Sequence, residues 1–118
     1  MYNIYMMPTI RITTRSKKQF EFWTSLLKTQ ITDFEPNSIT ININERYKPH
    51  THQRQEKSYI MLLGDFEGGA LCLEDGTKFN EKHKFFEFRG SQKHWTEDWT
   101  GNRISIVYYY KKSQKEYK

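Results

Sequence analysis

Apolar and polar positions follow two different rhythms along the chain. In "SKKQFEFWTSLLK" they recur with a helical period, Phe20, Trp23 and Leu27 falling on one face. Ser16 and Gln19 form an S-x-x-Q pattern at its start, which predicts a capping box. Ahead of it, "NIYMMPTIRITT" reads as one or two short strands interrupted by Pro8. "EPNS" at residues 35–38 breaks the chain.

From there the rhythm is that of strands. "SITININE" alternates, with Ile39, Ile41 and Ile43 on one face and Thr40, Asn42 and Asn44 on the other. "KSYIMLLGDF" is a buried strand, and "GALCLEDG" is another that ends in a turn at Asp75-Gly76. The pair Gly68-Gly69 predicts a tight reversal between these two. "KHKFFEFRG" and "RISIVYYYKK" follow. One helix and then many short strands predict a mainly β (α+β) domain, a barrel or sandwich with the helix packed outside.

Composition narrows the setting. A chain of 118 residues has room for one domain and one core. Eight Phe, eight Tyr and three Trp suit large side chains packed against a sheet. No apolar run approaches a membrane span, and the first residues lack the charged and apolar blocks of a secretory signal. The lone Cys72 excludes an internal disulfide framework and fits a reducing, intracellular setting, cytoplasmic or nuclear. The net charge of +5 lies largely in the tail "KKSQKEYK", which reads as a solvated terminus. A basic chain suits an anionic partner, nucleic acid included.

The candidate chemistry rests on three histidines and an arginine. His50 and His52 are two apart, so on an extended segment both imidazoles face one way and can reach one metal ion. Two partly exposed loop histidines would look the same in the sequence. A third ligand must come from elsewhere, and His94, just before the last long strand, is the best candidate. His83 sits among lysines and reads as a surface residue. On the last strand Arg103, Ser105 and Val107 alternate with Ile104, Ile106 and Tyr108. A buried Arg with a hydroxyl two residues on makes a carboxylate clamp, and an exposed strand arginine would look the same in the sequence.

In this order, "PHTH", "SYIMLLGDFEGGALCLEDG", "FFEFRGSQKHW" and "TGNRISIVYY", with the strand end Asn42-x-Asn44, resemble the Fe(II)/2-oxoglutarate-dependent oxygenase superfamily. The resemblance is greatest to the branch of J-binding-protein and ten-eleven-translocation-like nucleic-acid hydroxylases with their algal and viral relatives. It covers residues 39–110, preceded by a strand-and-helix segment to residue 38 and followed by the basic tail, 111–118. It implies a double-stranded β-helix (jelly roll), an iron held by a facial triad, and 2-oxoglutarate and O2 as small-molecule partners. His50 matches the first ligand and His94 the distal histidine. Arg103 matches the residue that pairs with the far carboxylate of 2-oxoglutarate, Ser105 being its neighbour and Asn44 a further cofactor contact.

His52 departs from the family's H-x-D. A neutral imidazole there leaves the metal site more cationic by one unit. Three imidazoles can hold Fe(II), and they also suit Zn, Ni or Cu. Asp65 and Glu67 belong to the strand turn rather than the metal face. The resulting expectation is an Fe(II)/2-oxoglutarate-dependent dioxygenase that hydroxylates a nucleobase or nucleic acid, with protein side chains as other substrates. Trp95 and Trp99 flank the site, either to stack on a base or as packing residues of the barrel mouth. A second reading is an oxygenase-like domain with altered or lost catalysis that binds a metal, a small acid or a partner. The chain is short for this superfamily, so the substrate site is either open or completed by a partner subunit in an oligomer.

Overall fold

In the computed structural model, which describes residues 9–45 and 55–112, the elements follow in the order β1 (Thr9–Thr13), α1 (Lys17–Lys28), β2 (Ser38–Ile43), β3 (Gln55–Leu63), β4 (Phe66–Gly68), β5 (Leu71–Leu73), β6 (Lys78–Phe79), β7 (Phe85–Arg89), β8 (His94–Thr96), β9 (Trp99–Gly101) and β10 (Ile104–Lys111). A five-stranded sheet has the order β1-β2-β10-β3-β7, with every neighbouring pair antiparallel. A three-stranded sheet has the order β6-β5-β8, and β4 pairs with β9.

One antiparallel ribbon joins these sheets. Ser58 lies opposite Tyr109, Leu63 opposite Ile104, Phe66 opposite Gly101, Gly68 opposite Trp99 and Leu73 opposite His94, with no slip of register. The bonds between the ladders keep the same pairing, Asn102 N–H to Asp65 O, Gly69 N–H to Asp98 O and Glu97 N–H to Ala70 O. The ribbon starts in the large sheet, bends, and ends in the small one. This is a double-stranded β-helix, the expected jelly roll.

The ribbon corrects the reading of Gly68-Gly69. Both residues have positive φ, +81° and +68°, but the chain does not reverse there. It bends and continues from β4 into β5 along the same partner. The turn at Asp75-Gly76 does reverse the chain, with Leu73 N–H bonded to Thr77 O at 2.9 Å and Thr77 N–H to Asp75 Oδ1 at 2.9 Å.

Strict alternation gives the large sheet two dissimilar faces. On the outer face Ile39, Ile41, Tyr59, Ile106 and Tyr108 form a core with Ile12, Phe34 and Leu27 of α1, and Phe20, Trp23 and Leu26 pack against it. The inner face carries Ile60, Leu62 and Phe88, in a second core with Phe66, Leu71, Leu73 and Phe79. The helix is therefore outside, as its apolar stripe predicts. Its start differs from expectation, because Ser16 makes no side-chain cap bond. The Ser16 N–H, which a capping box would give to Gln19, is bonded to Thr13 O at 3.0 Å in the turn off β1. Among the described residues no helix is long and apolar enough to cross a membrane.

Candidate functional site

Polar residues interrupt the inner face where β2 meets β10. Thr40 and Asn42 project from β2, and Ser105, Val107 and Tyr109 from β10, on the side opposite the helix. With Leu71 of β5 and His94 and Thr96 of β8 they line a cavity of about 170 Å³ between the sheets.

Arg103 closes one end. It stands just before β10, at the bend of the ribbon, and is only 3 % exposed. Its backbone is held twice by Asn44, whose Oδ1 accepts the Arg103 N–H at 2.7 Å and whose N–H donates to the Arg103 carbonyl at 2.7 Å. Its Nε donates to the Gly69 carbonyl at 2.7 Å. The guanidinium lies 5.6 Å from the Trp99 ring centroid and 5.9 Å from that of Phe66. Among the described residues no carboxylate pairs with it. Burial pushes its pKa down to about 10, so it stays cationic near neutrality. A buried cation without a counter-charge costs several kcal/mol, and an incoming carboxylate on bidentate bonds offsets that cost.

Ser105 adds a directed donor. Thr9 Oγ1 donates to Asn42 Oδ1 at 3.3 Å, and Asn42 Nδ2 donates to Ser105 Oγ at 3.2 Å. The Ser105 oxygen is thus engaged as an acceptor, and its own hydrogen is left to donate elsewhere. Ser105 is 3 % exposed and lines the cavity beside Arg103, so an oxyanion there meets both groups.

His94 marks the other end. It is 6 % exposed, and its ring meets Phe88 edge-on at 5.3 Å. Phe88 is paired across the sheet with Ser58, and Ser58 with Tyr109, which puts His94 beside the Tyr109 rung and away from Arg103. Nδ1 lies 2.6 Å from the Gln92 carbonyl. A carbonyl only accepts, so Nδ1 carries a proton, and in the neutral ring Nε2 then holds the lone pair, the tautomer of a metal-ligating imidazole oriented by its other nitrogen.

His50 and His52 lie outside the described residues. Among the described residues no three His, Cys, Asp or Glu side chains cluster as a metal centre; His94 is the one expected ligand that can be placed. Asn44 is exposed and positions the Arg103 backbone rather than lining the cavity. Trp95 alternates with His94 and Thr96, which turns it to the opposite face of β8. Trp99 packs on Arg103 and the inner core. Neither tryptophan is among the residues that line the cavity. His83 is exposed, with φ +66°. Asp65 and Glu67 are exposed on the ribbon, away from the cavity lining.

Sequence reasoning passed over Thr40, Asn42 and Tyr109 as site residues. The period-two signal was present, since Asn42 and Thr40 share a face and Tyr109 continues the series Arg103, Ser105, Val107. It also passed over Gly69. A Cβ there would lie 2.8 Å from Arg103 Cδ and 2.9 Å from its Nε, a constraint visible only in three dimensions.

No protein-family model matches the chain, and no curated protein matches it. Solved structures do. NgTET1 in complex with 5mC DNA superposes with a TM-score of 0.61 at 23 % identity, over 80 % of this chain and 48 % of that one. A 2OG-Fe(II) oxygenase family oxidoreductase from Burkholderia pseudomallei gives 0.57 at 18 % identity, over 83 % and 54 %. The viral collagen prolyl hydroxylase of Paramecium Bursaria Chlorella virus-1, in its 2OG complex, gives 0.52 at 13 % identity, over 92 % and 83 %. The chain therefore shares the double-stranded β-helix fold of 2OG-Fe(II) oxygenases. It spans about half the length of the first two structures.

Proposed function

We propose that this chain is an Fe(II)- and 2-oxoglutarate-dependent dioxygenase whose substrate is a nucleobase or nucleic acid. The observation that supports this most is a buried arginine without a carboxylate partner among the described residues, sharing one cavity with a buried histidine whose Nδ1 is bonded to a backbone carbonyl. His50, His52 and His94 would hold the metal, with Arg103 and the Ser105 hydroxyl on the far carboxylate of 2-oxoglutarate. When bound, the metal and the keto acid supply the activation of O2 that hydroxylates a substrate C–H bond.

The chain's own residues do the positioning. Asn44 and Gly69 fix the backbone and Nε of Arg103. The Gln92 carbonyl holds the His94 proton on Nδ1. Ile60, Leu71, Val107 and Phe88 give the cavity apolar walls, which exclude water and strengthen the contact between guanidinium and carboxylate. The basic charge and the likeness of fold to a DNA-bound TET protein support the substrate class.

The test is succinate formation from 2-oxoglutarate with Fe(II) and oxygen. Wild type is expected to form succinate and Arg103→Ala to lose it. Binding of 2-oxoglutarate without succinate would instead favour the second reading, a domain altered at His52. A His52→Asp variant separates the two. Turnover that rises marks the wild type as disabled, and turnover that is abolished marks a working three-histidine site.

A further inference from the structure

The cavity has a second cationic end. Along β10 its lining runs from Arg103 through Ser105, Val107 and Tyr109 to Lys111, and Arg11 of β1 lines the same cavity from the rung of Val107, two strands away. Arg11 pairs with Thr40, and Thr40 Oγ1 lies 3.1 Å from the Tyr109 hydroxyl. His94 lines the same cavity as Arg11 and Lys111. Both are exposed, and neither is paired with an acid among the described residues.

Lys111 is held in place. Its N–H donates to Asn37 Oδ1 at 2.8 Å, and its carbonyl accepts from Asn37 Nδ2 at 3.1 Å. The same lysine borders a second, shallower concavity that continues around the sheet edge with Arg15, Lys112, Thr13 and Ser38. Among the described residues no acidic side chain lines either concavity. Four basic side chains thus form a track that starts at the mouth of the cavity.

We propose that Arg11 and Lys111 form a phosphate-binding subsite at this mouth, and that Arg15 and Lys112 extend it into a track for the backbone of a single-stranded nucleic acid. The proposal rests on reading the cavity as the place of reaction, because that reading gives the track its direction. Cations spaced along a groove match successive phosphates, whereas a small monoanion needs only one. A single strand fits because His94 is buried, and a single strand presents a base to an enclosed atom without the cost of flipping it out of a duplex.

The test is binding of a fluorescein-labelled mixed-sequence single-stranded oligonucleotide across a salt series, with Arg11→Ala/Lys111→Ala and, as a control, Lys84→Ala beside the far strand β7. The double variant is expected to bind roughly tenfold more weakly at moderate salt. Its log affinity should fall less steeply with log salt, by about 1.4 for two lost phosphate contacts, while Lys84→Ala changes neither. An unchanged slope and affinity in the double variant would overturn the proposal. So would a phosphopeptide of equal charge that binds as tightly with the same dependence on the two residues. Retained 2-oxoglutarate binding in the double variant separates this outcome from the enzymatic reading. A chain without succinate formation but with the expected salt slopes keeps the track and loses the dioxygenase.

Discussion

Gly69 and Arg103 are fitted to one another. The glycine carbonyl accepts the Arg103 Nε–H at 2.7 Å, and the absent side chain leaves the space in which Cδ and Nε of the arginine lie. Gly69 also has φ +68°, a conformation that costs an L-residue about 1–2 kcal/mol.

Gly69→Ala is therefore expected to lose about 1–2 kcal/mol of stability and to weaken 2-oxoglutarate binding by roughly tenfold or more, because Arg103 must move. Gly76→Ala is the control. Gly76 has φ +95°, but nothing lies within 4 Å of its Cβ position. It should cost stability and leave binding unchanged. Urea melts and calorimetric titration of both variants check this.

Ser105→Ala removes an acceptor of Asn42 Nδ2 and a donor to the proposed carboxylate. A lost hydrogen bond costs about 0.5–1.5 kcal/mol. The expected outcome is a loss of that order in urea melts, with several-fold weaker 2-oxoglutarate binding. Arg103→Lys keeps the charge and loses the planar fork. It should bind 2-oxoglutarate at least tenfold more weakly, since the two residues are not interchangeable at bidentate sites.

Alternation made much of this legible in advance. Ile39 and Ile41 against Thr40 and Asn42, and Ile104 and Ile106 against Arg103 and Ser105, assign the two faces of the large sheet without any structure. The run Tyr108-Tyr109-Tyr110 hid its own alternation. Tyr108 is in the outer core, Tyr109 lines the cavity and Tyr110 is 41 % exposed, yet the three letters are the same. Gly68-Gly69 misled because positive φ serves a bend as well as a reversal, and only the pairing with residues 98 and 99 tells them apart. Ser16 misled because the capping pattern cannot show that its N–H is already taken by Thr13. The contact of Gly69 with Arg103, thirty-four positions apart, left no local signal.

Helix α1 is held by its apolar face rather than by its cap. Ser16→Ala should cost well under the usual ~1 kcal/mol of a lost N-cap, since no side-chain bond is lost. Leu27→Ala, at 0 % exposure, should cost about 2–5 kcal/mol. Parallel urea melts of the two variants compare cap with core directly.

Alkaline pH should destabilise the fold through two tyrosines. Burial pushes the Tyr108 hydroxyl up, and burial together with the bond to Glu87 pushes Tyr59 up to about 12. Above pH ~10 an unfolded tyrosine loses its proton while these two keep theirs. The unfolded chain then binds fewer protons, so stability falls as pH rises from about 10 through about 12. Tyr108→Phe, which also loses the 2.7 Å bond to the Trp23 carbonyl, should show a shallower decline over that range in urea melts, from a lower starting stability.

The most direct test of the central claim is anaerobic titration of 2-oxoglutarate into the Fe(II)-loaded protein, followed by the visible charge-transfer band of the chelated metal. Wild type should develop the band. Arg103→Ala should need roughly 30-fold or more 2-oxoglutarate, consistent with at least 2 kcal/mol for a lost charge pair. His94→Ala should show no band at all. A wild type without the band, or an Arg103→Ala variant that titrates like wild type, would contradict the account.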